Sequence, residues 1–471
     1  MLLATALLPP LLQGSDLQSA GPPPVIAVAP AESLTSAPPR TAHRLALILD
    51  GTYRPALPEL LSILEERGQL LPPASLPQLL NLALEKSALL PTILAAGGKR
   101  LAWLAAAHPL WRQLLPIPAG MSAGEVRETL LATPKDERVD LLSRYRAANA
   151  AAAREALQDL SAKLGSPELA KMIAGLAAGL TPEDEPFLLE YRRHGRKEVR
   201  EAAAGVLAQL PSGTYQDESL ALLTPLFSNT KKLLGKRQLS LELPATVPKD
   251  AKFYGISAKG GRSGAGLSYL LQLLEQVPPA RLTEKLNVTP PDFLNFIHGR
   301  REVESLRQAI AIALDRHPDP EWQAALLRYI LDRNNSSYWR LPIVRKLFRA
   351  APASIFTPLA TEWLQEHGPL IPASHPLTEL LRITPHPWSD YLARTVLDGA
   401  LEAVNYPRSR GMDDYHILLK RAAYRVSPTL FDHFRSRLGP VANRPDEWGK
   451  TASEVLAVLY FRRGFTETGG G

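Results

Sequence analysis

The chain has 471 residues, with 54 Lys and Arg against 47 Asp and Glu, no Cys, 43 Pro and 30 Gly. Without Cys there is no disulfide framework, thiol nucleophile or zinc knuckle, and a 45% hydrophobic content excludes wholesale disorder. The length exceeds one ordinary core, abundant Ala and Leu with 7% aromatics favour helices over sheets, and the net charge of +7 points only weakly to polyanionic partners.

Residues 1–40 hold eight Pro and read as an extended, disordered leader. The apolar start has no basic n-region, since the first basic residue is Arg40, so a signal peptide is not expected. No run of about 18 apolar residues suits a membrane span; the cytoplasm is the expected compartment. From Arg44 the period becomes helical. Leu60, Leu61 and Leu64 share a face, as do Leu79, Leu80, Leu82 and Leu84, before a stop at Leu90-Pro91. Residues 100–115 repeat the pattern with a break at His108-Pro109. The Ala-rich stretch 136–164 is long enough for two helices, and Ser166-Pro167 opens another.

The clearest unit is 181–211. Thr181-Pro182-Glu183-Asp184 supplies an N-cap, a first-turn Pro and acids for the positive helix end. Phe187, Leu188 and Tyr191 follow, and His194-Gly195 provides a turn. A second helix then places Val199, Ala202, Ala203, Val206, Leu207 and Leu210 on one face. Two such short helices cannot bury both faces alone, so they must stack on similar pairs. Residues 212–266 break this pattern. QLSLEL (238–243) alternates with period two and predicts one short strand, and five Gly within 255–266 predict a loop. Helices resume near Leu267 and run to Phe465. The expected fold is all-α: a HEAT-like α-solenoid in two segments, 41–211 and 267–465, around a small irregular β-containing insert at 212–266, with a frayed tail at 466–471.

Several segments carry a resemblance. DEPFLLE (184–190), RKEVREAAA (196–204) and LAQLPSG (207–213) are similar to the core signature of an uncharacterised bacterial family. LDGTYRP (49–55), KRLAWLA (99–105) with PLW (109–111), and Gly255-Ile256, Gly264, Gly266 and 270–278 resemble its further landmarks. Tyr269 stands where that family tends to have Trp, and Asp50 where it has a small residue. Members are typically encoded beside MoxR-type AAA ATPases, von Willebrand factor A-domain proteins and SWIM zinc-finger proteins. The resemblance, covering roughly 44–280, implies a HEAT-like helical fold and a protein partner of the AAA ATPase or von Willebrand factor A type; it implies no reaction.

No chemistry-bearing motif competes with this reading. The ten His are scattered without H-E-x-x-H or similar spacing, and His367, His375 and His386 are expected to be solvated or satisfied rather than metal ligands. In the Gly-rich loop Lys259 precedes the glycines and no Lys-Ser/Thr pair follows, so it is not a P-loop; an anion at the N-terminus of the following helix is the remaining option there. No G-x-S-x-G elbow is present, and Asp184-Glu185 and Asp413-Asp414 read as solvated helix-end acids. The expectation is no cofactor, no metal and no assigned catalytic residue.

The basic residues stand out. Segment 225–265 holds eight Lys and Arg, among them Lys231, Lys232, Lys236, Arg237, Lys259 and Arg262, against two acids, which is six of the seven net charges. Arg192, Arg193, Arg196, Lys197 and Arg200 add a cluster at the turn of the 181–211 unit. If the insert folds over that turn, a basic surface forms that suits an acidic protein or nucleic-acid phosphates. The expected function is a non-enzymatic scaffold or adaptor for protein–protein interaction. The alternatives are a nucleic-acid-binding helical repeat using the basic insert, and an enzyme with an unrecognised site.

Overall fold

The computed structural model describes residues 28–118, 120–231, 237–257, 264–333, 338–372, 374–405 and 412–466. Helices make up nearly all regular structure among these; the strands form two short pairs. The chain is an all-α helical-repeat protein. Among the described residues no helix is long and apolar enough to cross a membrane. The chain divides into two compact units at Leu115/Pro116, a boundary the sequence reading does not draw.

The first unit is built on the Leu-rich faces. Leu57–Glu66 buries Leu60, Leu61 and Leu64, and Leu76–Glu85 buries Leu79, Leu80 and Leu82. Pro91 opens the next helix, Leu90–Ala107, rather than merely stopping the previous one. That helix is broken at Gly98, whose φ of 64° is left-handed. Its second half therefore begins with backbone N–H groups that have no helical acceptor. Glu32 answers them: its carboxylate accepts from the N–H of Lys99 at 3.1 Å and of Arg100 at 2.6 Å. A Cβ on Gly98 would stand 2.8 Å from that carboxylate, so only Gly fits. Residues 28–38 therefore depart from the expected leader: Glu32 caps a helix, and Thr35–Ser36 pairs in parallel with Gln69–Leu70.

The second unit is a two-layer stack in which a helix packs on the one two positions further along the chain. In one layer Pro290–His298, Pro320–Arg333, Ala353–His367 and Asp390–Asn405 follow one another. In the other come Val303–Arg316, Pro342–Ala350, Pro376–Ile383, Met412–Ala422 and Glu447–Thr466. Earlier, Glu185–Tyr191 and Lys197–Leu207 form the unit expected at 181–211. Val199, Ala203, Val206 and Leu207 are buried between helices, and Lys197–Leu207 packs on Ser166–Gly175.

Apolar faces hold the layers together without direction; polar side chains reaching one repeat along add register. The fullest example corrects the reading of Asp184. It is completely buried, not a solvated helix-end acid. Its carboxylate meets both terminal nitrogens of Arg146, at 2.9 and 2.5 Å, and Arg154 at 2.9 Å, and accepts the Thr181 N–H at 2.9 Å. Arg146, itself 1% exposed, also donates to the carbonyls of Ala150, Ala178 and Gly179. Burial pushes the Asp184 carboxyl up, but the hydrogen bonds from Arg146, Arg154 and Thr181 outweigh it and hold the group below its usual range.

Removing one partner of such a pair leaves the other charge buried alone. Asp184→Ala should therefore cost about 3–5 kcal/mol in chemical denaturation at pH 7. Because the folded group is more acidic than the unfolded one, the contribution is present above the unfolded pKa of about 4 and is lost as pH falls through the lowered folded value. The gap between wild type and Asp184→Asn should thus narrow below about pH 4.

A candidate partner-binding surface

The segment that interrupts the array holds more helix than its sequence suggests. Thr214–Leu223 is an α-helix whose buried face includes Tyr215, Gln216, Ser219 and Leu223, a half-polar set that hides the apolar period. The chain then forms an antiparallel hairpin, Phe227–Lys231 with Arg237–Leu241; the single strand expected at 238–243 is met over 238–241 and is paired with a second that the sequence reading does not draw. Phe227 packs against Phe293, with ring centroids 5.6 Å apart, and Asn229 donates to the Leu286 carbonyl at 2.7 Å. The chain returns as the 3-10 turn Lys249–Tyr254, which lies on Lys197–Leu207. Next, Ala265–Leu274 starts so close to Pro244 that a Cβ on Gly266 would sit 2.3 Å from its carbonyl oxygen.

The return is locked by a charge pair. Arg192 faces the Glu218 carboxylate at 2.7 Å, and the Tyr254 hydroxyl donates to the same oxygen at 2.9 Å. The Arg192 guanidinium lies 5.3 Å from the Tyr254 ring centre and 5.8 Å from that of Tyr215. Tyr215 donates to Gln276 Oε1 at 2.8 Å, and Gln276 returns a bond to the Tyr254 carbonyl at 2.9 Å. Burial raises the Glu218 carboxyl, but its bonds to Arg192 and Tyr254 bring it below the usual range. Burial, then the bond to Glu218, pushes Tyr254 up to about 12. These groups are fixed in one protonation state near neutrality.

The five cations expected at the turn therefore separate. Arg192 is 4% exposed and belongs to the interior, which corrects its assignment to an accessible patch. Arg200 donates to the carbonyls of His194 and Gly195, at 2.8 and 2.9 Å, and so braces the turn. Lys197 pairs with Glu201 at 3.4 Å on an exposed face. Arg193 and Arg196 remain exposed. Arg193 lies 5.7 Å from the Phe253 ring centre, and Lys252 flanks the same ring at 5.1 Å. The turn at 249–254 does fold over the helix in which this cluster ends, and Lys252, one of the eight cations of 225–265, with Phe253 completes the surface. A hollow of about 360 Å³ adjoins it, walled by Leu169, Glu190, Tyr191 and Arg193. Lys232, Lys236, Lys259 and Arg262 lie outside the described residues. Lys231 and Arg237 are register partners at the hairpin's inner end.

Elsewhere, the His considered as metal ligands are bonded to backbone. His375 Nε2 meets the Leu331 carbonyl at 3.2 Å and burial pushes its pKa down to about 4; His386 Nε2 meets that of Ala351 at 2.6 Å. Among the described residues no group of three or more His, Asp or Glu is arranged to hold a metal ion. A second hollow, of about 530 Å³, lies between Pro290–His298 and Pro320–Arg333. In it Asp332 is raised by burial, while Arg333 bonds to Asn295 and Arg328 to Glu362.

Over residues 1–468 the sequence matches the family model described as Family of unknown function (DUF5691), and the chain belongs to that family. No curated protein matches it.

The division of the cluster has a direct test. Arg192→Ala leaves Glu218 and Tyr254 without their cation and should cost roughly 2–4 kcal/mol. Arg193→Ala, one residue on, should stay within about 0.5 kcal/mol. Denaturant titration separates them, and amide exchange should accelerate at 249–254 in the first variant only.

Proposed function

We propose that this member of the DUF5691 family is a non-enzymatic helical-repeat adaptor that presents the Arg193–Arg196–Lys252–Phe253 corner to an acidic protein partner in the cytoplasm. The observation that carries the reading is the half-buried Phe253 ring flanked by two exposed cations on a turn braced from beneath by the Arg192–Glu218 pair. Aromatic and Arg side chains are the groups that dominate protein interfaces, and a braced turn loses little freedom on binding. The adjoining hollow is of a size to receive a partner side chain. By sequence resemblance the first partners to try are a MoxR-type AAA ATPase and a von Willebrand factor A-domain protein encoded nearby, in a chaperone-like or maturation system.

The nucleic-acid alternative is less well supported. Three of the five clustered cations are engaged within the protein, and one ring offers little for base stacking. For the enzyme alternative, the carboxylates Asp184 and Glu218 are lowered by paired Arg, which suits bracing rather than proton transfer; Asp332, raised by burial in the larger hollow, is the carboxylate on which that alternative would rest.

The reversal Arg193→Glu, Arg196→Glu, Lys252→Glu should reduce retention of the partner by at least about thirty-fold, equivalent to the 2 kcal/mol or more of an interface hot spot. Circular dichroism should be unchanged, since the three side chains are exposed. Undiminished retention by the reversed protein would remove this corner from consideration.

A further inference from the structure

In the second unit, three successive helices of one layer each carry Arg as the penultimate residue: Arg349 in Pro342–Ala350, Arg382 in Pro376–Ile383 and Arg421 in Met412–Ala422. The helices pack in that order. Their C-terminal ends lie together, because His386 bonds to the Ala351 carbonyl and Arg425 to the Pro385 carbonyl, each just beyond a helix end. The repeat thus brings three guanidinium groups to one edge. Arg345 is a fourth cation nearby, and the carboxylate paired there is Glu379, which meets Arg345 at 2.8 Å and Arg382 at 2.6 Å.

A cation in the last turn of a helix is ordinarily explained by the helix dipole and the free carbonyls. One repeat earlier that explanation suffices: Arg316, which closes Val303–Arg316, donates to the Glu275 carbonyl at 2.6 Å. Arg316, Arg349, Arg382 and Arg421 follow at intervals of 33, 33 and 39 residues, yet the later ones do not repeat the bond. Among the described residues Arg349 has no ion-pair or hydrogen-bond partner, and Arg421 has none either although its Nε is buried. A buried N–H without an acceptor is costly and rare in native proteins. Like charges gathered at one edge add to that cost unless an anion answers them. Burial first, then the charges of Arg382 and Arg349, lowers the Arg421 pKa, which agrees with that proximity.

We propose that Arg349, Arg382 and Arg421 form a binding site for a phosphate-type oxyanion. The planar forks of Arg349 and Arg421 match a tetrahedral dianion through paired N–H donors, as an ammonium would not, while Arg382, whose fork is held by Glu379, adds its charge and its remaining terminal nitrogen. The anion is either free phosphate or a phosphate monoester carried on a peptide side chain; both offer the same oxygens. The site is separate from the Phe253 corner and does not depend on it.

The full chain is titrated with inorganic phosphate, with a phosphoserine peptide and with its unphosphorylated counterpart, at ionic strength matched with chloride, by calorimetry and thermal melting. Saturable binding of phosphate is expected, weakened at least about tenfold by Arg421→Gln and by the exposed Arg349→Gln, with Arg421→Lys also weakened because its charge lacks the fork. Tighter binding of the phosphopeptide than of phosphate assigns the site to a modified side chain; binding of phosphate alone assigns it to the free ion. Equal effects of phosphate and chloride overturn the proposal, as does a full phosphate response in Arg349→Gln. That variant decides the matter should Arg421→Gln not fold.

Discussion

The Arg192–Glu218 pair, capped by the Tyr254 hydroxyl, holds the interrupting segment onto the repeat array, and the proposed function depends on where that segment sits. Arg suits this position for reasons of shape. Its flat guanidinium lies near two tyrosine rings while its edge reaches a carboxylate, and Lys has no comparable plane. With its own charge met inside, Arg192 is withdrawn from the surface, where Arg193, Arg196 and Lys252 stay exposed and Lys197 is paired with Glu201. The bracing thus determines both the position and the composition of the surface: a pair of exposed cations around Phe253 rather than a broad basic field.

The same economy of charge recurs along the second unit. Hydrophobic stacking would tolerate sliding of one repeat over the next, whereas a side chain that reaches a defined carbonyl some 30–45 residues away does not. Arg146 reaches Ala178 and Gly179, Arg316 reaches Glu275, His375 reaches Leu331, His386 reaches Ala351 and Arg462 reaches Ala423. Each bond ends on a carbonyl in the last turn of a helix or in the turn just after it, where the helix leaves the group free. Against this background Arg349 and Arg421 differ, being positioned like the others without making such a bond.

How much of this was legible in the sequence follows from the range of each interaction. The faces containing Leu60, Leu61 and Leu64, or Val199, Ala203, Val206 and Leu207, were readable because burial of a helix follows its own local period. The Arg237–Leu241 strand was readable from alternation. Asp184 was misread because its partner, Arg146, lies 38 residues away, and a first-turn acid looks the same whether solvated or buried. Arg192 was misread likewise, since Glu218 and Tyr254 come from the segment beyond it. The Thr214–Leu223 helix was missed because its buried face uses Gln216 and Ser219. Glu32 was hidden in a Pro-rich stretch, its role defined only by the break at Gly98. Local pattern revealed the repeats; the polar joints between them needed the fold.

The central claim is that a partner docks on the turn where the interrupting segment is braced. Hydrogen–deuterium exchange of the full chain, with and without a captured AAA ATPase or von Willebrand factor A-domain partner, tests it most directly. The account predicts that protection gained on binding is concentrated at 192–200 and 249–254, on two segments distant in sequence and joined through Glu218. Protection that falls on other helices while both of these segments exchange as in the free protein would contradict it.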